Sequence, residues 1–215
     1  MITRGLTKEA EAILNGVNKF GCADFAQLEY FYDNTKKNSA SGNPYHVSIA
    51  NHLTYTKQLN RDGNTLCSKI TRRRDYKMID SIWAALYLLA QDEDNEYTAA
   101  EKLTGEINCF RCKGFCTIQM LLRLNGEATW AKIIPCYDSN DVMAVLAEQE
   151  NYEILVSELK GKHNLPTQFY VVTRNREAIM ELSKCNLTIP VQILFLEGED
   201  GEKPTIKVGR KSKDE

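Results

Sequence analysis

The order of local patterns over residues 1–75 most constrains how this chain of 215 residues can fold. Three short helical patterns come first, and they begin after Thr7, near Asp24 and at Pro44. Two β-prone runs then flank Asp62-Gly63, a dipeptide that strongly favours a hairpin turn. The sequence therefore predicts a small helical module that carries one β-hairpin.

Three helices followed by a hairpin are typical of a winged helix. In such a module the third helix can lie in the major groove of duplex DNA, and the hairpin and nearby cations can contact phosphates. On this interpretation the side chains that bind nucleic acid are Tyr45, His46, Asn51 and His52 on the third helix, Lys57 and Arg61 on the hairpin, and Arg72, Arg73 and Arg74 after it.

The distribution of charge favours the same interpretation. Residues 1–80 contain 12 Lys and Arg against 8 Asp and Glu, whereas residues 81–215 contain 15 against 21. A basic segment beside an acidic remainder indicates that one part of the chain meets a polyanion and the other does not. A solvated basic face without a partner is the alternative explanation of this pattern.

The second part of the chain changes from helical spacing to strands. Apolar residues recur at helical spacing over residues 76–90, and two β-prone runs flank Asn125-Gly126. The continuous apolar runs TQFYVVT and VQILFLE are separated by a short helical pattern, which favours parallel strands. We therefore expect a fold of mixed α+β and α/β class, with a winged helix at 1–75, an α/β domain with a mixed sheet at 76–208 and a charged tail at 209–215.

Several segments taken together resemble a known group of proteins. These are the helix MIDSIWAALYLL, the hairpin IQMLLRLNGEATWAKII and the C-terminal runs QFYVVTRNREAIMEL and VQILFLEGEDGEKPTIKV, which follow the winged-helix pattern. The combination resembles an uncharacterised family carried on conjugative elements of Gram-positive bacteria, and is distantly similar to replication-relaxation proteins. The resemblance implies a DNA-associated accessory role on a mobile element, and it implies no catalytic residues.

A nuclease is one alternative function. Metal-dependent nucleases of the restriction-enzyme type need an acidic residue followed by Glu-x-Lys, so that two carboxylates hold Mg²⁺. Asp138 and the pair Glu158 and Lys160 have a tolerable spacing for this arrangement. That chemistry requires Glu-x-Lys on a strand, however, and the apolar spacing around Glu158 favours a helix. We therefore expect a protein without catalytic activity.

A module that only mediates assembly is the other alternative, because winged helices also bind proteins. Duplex DNA is the expected partner, and a protein partner or self-association is compatible with the acidic second domain. No small-molecule substrate is indicated. The longest apolar run, Ile82 to Ala90, is about half of the roughly 20 residues that cross a bilayer. With no apolar leader segment at the N-terminus, a cytoplasmic protein without membrane partners is expected.

Three of the seven cysteines lie close together in NCFRCKGFC. A closed zinc site needs four ligands, usually as two pairs, but Cys109, Cys112 and Cys116 form one pair and a third residue. Further thiols and one imidazole have no paired spacing of their own: Cys67, Cys136, Cys185 and His163. We therefore expect no metal site and no cofactor, although Cys136 could approach Cys116 across a hairpin.

Overall fold

The computed structural model describes residues 5–32, 44–93, 97–112, 115–159, 167–199 and 201–211. The chain divides into two compact units. Unit 1 consists of Met1–Ile79, Glu96–Glu106 and Asp200–Lys203, and unit 2 of Asp80–Asn95, Ile107–Glu199 and Pro204–Glu215. The first crossing between the units lies after Ile79, and two later segments return to unit 1.

Unit 1 begins with helix α1 (Lys8–Phe20), which has the start that the sequence predicts. The hydroxyl of Thr7 accepts a hydrogen bond from the N–H of Ala10 at 3.2 Å, so an otherwise unpaired donor of the first turn is satisfied. Gly21 ends the helix with a positive φ of 79°, which costs glycine little. The apolar face of α1 is buried, and its residues include Ile13, Val17 and Phe20.

Two further helices and a small sheet complete the first part of unit 1. Helix α2 (Phe25–Leu28) continues into a 3₁₀ turn, and α3 spans Tyr45–Tyr55. The strands are β1 (Cys22–Asp24), β2 (Asn60–Asp62) and β3 (Thr65–Cys67), arranged antiparallel in the order β1-β3-β2. The predicted hairpin is confirmed as β2–β3. Strand β1 was not predicted, because three residues between two helices give no periodic signal.

A later segment packs on α1. It contains the short helix α5 (Ala99–Glu101) and a π-helical turn at Lys102–Glu106. The ammonium group of Lys19 donates hydrogen bonds to three carbonyls at the end of that turn, those of Leu103 at 3.1 Å, Thr104 at 3.0 Å and Gly105 at 3.2 Å. A cation at this position satisfies carbonyl groups that the helix leaves unpaired, so the segment is held on α1.

Unit 2 contains a six-stranded sheet in the order β4-β5-β6-β7-β8-β9. Strands β6, β7 and β8 are parallel, and the other neighbours are antiparallel, so the predicted mixed sheet is confirmed. The strand bounds are β4 (Asn108–Cys112), β5 (Phe115–Leu124), β6 (Glu127–Pro135), β7 (Gln168–Thr173), β8 (Val191–Glu197) and β9 (Thr205–Lys211). Strand β9 continues beyond residue 208, at which the sequence interpretation ended the domain.

The connections of unit 2 follow local signals. Helix α6 (Ser139–Leu159) joins β6 to β7, and α7 (Arg176–Lys184) joins β7 to β8. Both pack on a core that includes Ile134, Val145, Phe169, Val171, Leu182 and Val191. The predicted turn between β5 and β6 has positive φ at Asn125 and Gly126, as a hairpin turn of this length requires. The carboxylate of Glu93 accepts hydrogen bonds from the N–H groups of both residues.

Helix α4 (Tyr76–Leu89) contains most of the longest apolar run of the chain. The side chains of Ile82, Trp83 and Leu88 are buried, which agrees with the prediction of a buried helix. Within the described residues, we find no helix with the length and apolar character needed to cross a membrane.

Candidate nucleic-acid interface

The nine predicted side chains lie in unit 1, and the structure brings two of them into direct contact. Nη1 of Arg61 on β2 lies 3.3 Å from Oδ1 of Asn51 on α3, and its Nε donates to the carbonyl of Gly63 at 2.8 Å. The guanidinium group also lies over the ring of Phe25, 4.7 Å from its centroid. Arg61 therefore connects the third helix to the hairpin, while both Arg61 and Asn51 stay exposed.

The two faces of the small sheet present different groups. Arg61 pairs with Leu66, so the two side chains share one face of the sheet, and the contact of Arg61 with Asn51 places α3 on that face. Asn60 and Asp62, its neighbours on β2, point to the opposite face because side chains alternate along a strand. Their partners on β3, Cys67 and Thr65, are fully buried, and so is Leu66, so both faces of β3 are covered.

The first turn of α3 is less exposed than the sequence suggests. Tyr45 and His46 are half-buried, and the ring of Tyr45 packs edge-to-face on Tyr32 with 6.2 Å between centroids. Burial lowers the pKa of His46 below its ordinary value, and the nearby charge of Glu29 opposes that shift. His46 is thus neutral at pH 7, so it can exchange hydrogen bonds with a base edge but supplies no charge to a phosphate.

The last turn of α3 is more exposed than its first. His52 is exposed, and Tyr55 has 86% of its surface accessible. Tyr55 was not among the predicted residues, although it follows Asn51 by four positions and therefore shares its helix face. Tyr55 was missed because α3 ends two residues beyond Leu53, the end that the sequence predicted.

Lys57 closes α3 in a strained conformation. Its φ is 56°, and its N–H donates to the carbonyl of Thr54 at 3.0 Å, while the N–H of Gln58 donates to the carbonyl of Leu53 at 2.9 Å. These two bonds form a Schellman motif, in which the residue at positive φ is usually glycine. An exposed cation thus stands at a position where glycine would be less strained.

Residues 69–73 form what we call the basic turn. Lys69, Arg72 and Arg73 are exposed, and Arg72 has a positive φ of 59°. Arg72 and Lys69 line an open depression of about 550 Å³ together with Asn60. The depression therefore places the basic turn beside the first residue of β2. Lys69 was absent from the predicted set, although it belongs to the same cationic run.

Arg74 differs from its two neighbours in its contacts. Its side chain is 30% exposed, and Nη2 lies 3.2 Å from Oδ2 of Asp24, which is almost fully buried. The hydroxyl of Thr65 donates to the other carboxylate oxygen of Asp24. The N–H of Arg74 donates to Asp62 at 3.0 Å. Arg74 therefore neutralises a buried carboxylate, whereas Arg72 and Arg73 are exposed.

The three clustered cysteines lie on two paired strands. Cys109 and Cys112 lie on β4, and Cys116 lies on β5 opposite Arg111. His163 lies outside the described residues. Among the residues that the structure describes, no group of three or more His, Cys, Asp or Glu side chains is placed to hold a metal ion.

The residues proposed for a nuclease do not form the expected arrangement. Asp138 caps helix α6, since its carboxylate accepts hydrogen bonds from the N–H groups of Asn140 at 2.9 Å and Asp141 at 3.1 Å. Glu158 lies on the same helix, so the strand that Glu-x-Lys would require is absent from residues 139–159. Lys160 falls outside the described residues.

Comparison with known proteins gives no relative from which a function could be transferred. No family model matches the chain, and no curated protein or solved structure is significantly similar to it. The function therefore has to be inferred from the geometry of unit 1.

Proposed function

We propose that unit 1 is a winged-helix module that binds duplex DNA, with α3 in the major groove and β2–β3 as the wing. The observation that carries the proposal is an excess of exposed positive charge. Residues 44–74 contain six basic residues and one acidic residue, Asp62. The basic residues other than Arg74 are exposed: Lys57, Arg61, Lys69, Arg72 and Arg73. Such a surface suits a polyanion.

The element order supports the winged-helix part of the proposal. The described residues follow the order α1, β1, α2, α3, β2, β3, with the hairpin directly after the third helix. Arg61 ties that hairpin to Asn51, so the two would approach a duplex together. Asn51 can pair with an adenine through its amide, and the exposed ring of Tyr55 offers an apolar surface to a thymine methyl group.

The backbone strain at two cations is a second support. In the described residues, positive φ at a non-glycine occurs at Lys57, Arg72 and Asn125, and Asn125 is explained by its hairpin turn. A left-handed conformation costs about 1–2 kcal/mol for residues other than glycine. Strain of this kind concentrates at functional sites, which is consistent with a role for Lys57 and Arg72 in binding.

The proposal gives unit 2 a role in interaction or assembly and requires no cofactor. The resemblance to proteins of conjugative elements suggests an accessory role for the whole chain on mobile DNA, in the cytoplasm. A protein that retained a stoichiometric protein partner, and no DNA at low salt, would instead be the assembly module.

The decisive experiment measures binding of the full chain to duplex and single-stranded DNA over a range of salt concentrations. Replacing Arg72 and Arg73 by alanine should weaken binding to every duplex alike and flatten the salt slope by about 2 units, since each lost phosphate contact releases about one counterion fewer. Asn51→Ala should instead change the preference among sequences.

A matched control removes two cations from unit 2. The double variant Arg176→Ala and Lys184→Ala changes exposed residues of α7 and should leave the salt slope unchanged. If both double variants lost the same amount of DNA affinity and salt slope, general charge attraction, and not the basic turn, would explain the binding. Failure of the unmodified chain to retain duplex DNA at low salt would overturn the proposal.

A further inference from the structure

Ile70 is an exposed apolar residue in an unusual position. It has 94% of its surface accessible, the largest fraction among the exposed large apolar side chains of the described residues. Single exposed apolar residues are common on protein surfaces. Ile70 differs because it stands in the basic turn, one residue after Lys69 and two before Arg72, which are both exposed.

The turn that carries Ile70 is held by hydrogen bonds on both sides. The buried Ser68 donates its N–H to the carbonyl of Gly21 at 2.7 Å, and its own carbonyl accepts from the N–H of Arg72 at 3.0 Å. The Ser68 hydroxyl oxygen accepts from the N–H of Thr71 at 3.1 Å, and Nε of Arg72 donates to the carbonyl of Lys69 at 3.2 Å. Ile70 is therefore presented at the tip of a fixed turn.

The surroundings of Ile70 identify the partner that it fits. Lys69 precedes it and Arg72 follows it by two positions, and both line the open depression beside Asn60, which has room for a sugar-phosphate group. A protein partner would be expected to meet an apolar centre with other apolar residues around it. An apolar side chain between cations instead matches duplex DNA, in which apolar base faces lie between rows of phosphates.

We propose that Ile70 inserts between two base pairs from the minor groove and kinks the duplex, while Lys69 and Arg72 hold phosphates beside the kink. The inference rests on the proposed DNA binding of unit 1. On this proposal the basic turn, which lies beside the first residue of β2, meets the minor groove next to the major groove that α3 occupies. Apolar residues such as isoleucine act as wedges of this kind in minor-groove proteins.

The proposal implies a preference for deformable sequence. Pyrimidine–purine steps such as TA and CA unstack more easily than other steps, so a wedge favours them without contacting base edges. The site that the chain prefers should therefore contain such a step next to the segment read by α3.

The test uses the full chain and a short duplex with a fluorescent donor and acceptor at its ends. Binding of the unmodified protein should raise energy transfer, because a kink brings the duplex ends closer together. Ile70→Thr keeps the β-branched shape but makes the tip polar, and should lose the rise in transfer while the salt slope stays unchanged. Ile70→Leu should retain the rise. Met180→Ser removes an exposed apolar side chain from α7 as a control. It should change neither the rise in energy transfer nor the salt slope.

The outcomes separate the two proposals. Binding of the unmodified protein without a rise in energy transfer, or a full rise with Ile70→Thr, would overturn the wedge and leave DNA binding standing. A chain that retains no duplex DNA at low salt would overturn both. Loss of the rise with Ile70→Thr and its retention with Ile70→Leu support the wedge, provided that thermal melting shows both variants to be folded.

Discussion

Arg174 of unit 2 and Arg72 of unit 1 carry the same charged group in opposite surroundings. Arg174 donates from Nε to Oδ2 of Asp80 at 2.8 Å and from Nη2 to Oδ1 at 3.0 Å, and the carboxylate is almost fully buried. Its Nη1 donates to the carbonyl of Gly198 at 2.9 Å. Arg72 is exposed and hydrogen-bonds to a carbonyl of its own turn. A count of charges does not separate the two roles, whereas the buried carboxylate that Arg174 contacts does.

The Arg174 network occupies a position that often binds ligands in α/β proteins. Tyr137 follows β6, Arg174 follows β7 and Gly198 follows β8, so these residues stand at the carboxyl ends of the parallel strands. The hydroxyl of Tyr137 donates to Asp80, to which Arg174 is also bound. The described side chains there bind one another, and this bonding fixes the strand ends of unit 2.

Breaking the Asp80–Arg174 pair should have the largest effect. Asp80→Ala leaves the guanidinium group of Arg174 largely buried without its carboxylate, and should lower the free energy of unfolding by about 3–5 kcal/mol. Urea denaturation measures the change. DNA binding by the remaining folded protein should be unaffected, because the cations of unit 1 are unchanged.

The control for this prediction is Arg176→Ala. Arg176 is 79% exposed and lies 3.8 Å from Glu197, so its loss should change the free energy of unfolding by about 0.5 kcal/mol or less. The double variant Asp80→Ala with Arg174→Met should recover part of the loss, since it removes the buried charge as well. If Asp80→Ala and Arg176→Ala cost the same, the contrast between the units does not hold.

Local signals explain how much of the fold could be predicted. The cap at Thr7 and the turns near Asp62-Gly63 and at Asn125-Gly126 act within a few residues. The structure places the cap and the second turn as predicted, whereas the first hairpin turns at Gly63 and Asn64, one residue later than predicted, because Asp62 pairs with Thr65. The contacts of Arg74 and Arg174 could not be predicted in this way. Arg74 meets a carboxylate 50 residues earlier, and Arg174 meets one 94 residues earlier.

The candidate site shows the same limit. The third helix and the hairpin were predicted from sequence, and the contact between Asn51 and Arg61 spans only 10 residues. The three consecutive arginines are indistinguishable in sequence, and only the fold assigns Arg74 to Asp24. Ile70 was missed because an apolar residue gives no signal of binding until its exposure is known.

Arg74 provides the second prediction, because it is the arginine of unit 1 that resembles Arg174. Arg74→Ala leaves the buried carboxylate of Asp24 without its cation. The change should lower the free energy of unfolding by about 2–3 kcal/mol. Arg73→Ala is the neighbouring control and should cost about 0.5 kcal/mol or less, while flattening the salt slope of DNA binding by about 1 unit. The reverse pattern would place Arg74 in the interface and contradict its structural role.

Lys57 is the opposite case to Arg74 and Arg174, because it is an exposed cation whose backbone conformation costs stability. Lys57→Gly removes the strain of positive φ and should raise the free energy of unfolding by about 1 kcal/mol. The same change should weaken DNA binding, because a phosphate contact is lost. Lys57→Ala removes the charge without relieving the strain, so it should weaken binding equally but stabilise nothing. Stabilisation by both variants would mean that charge repulsion, and not backbone strain, is relieved.

Titration of His46 should have the smallest effect on the free energy of unfolding, and the direction of its pH dependence follows from burial. Because burial lowers the pKa of His46 in the folded protein below the ordinary value of 6.5, with Glu29 opposing the shift, the unfolded chain binds a proton more readily than the folded chain. The contribution of His46 to stability is therefore complete above pH 6.5 and is lost as the pH falls through the folded-state pKa. Urea denaturation from pH 8 to pH 5 should show the unmodified protein losing stability relative to His46→Gln, a variant that cannot titrate. Parallel curves for the two proteins would show that His46 is not desolvated in α3, and would restore it to the exposed set predicted from the sequence.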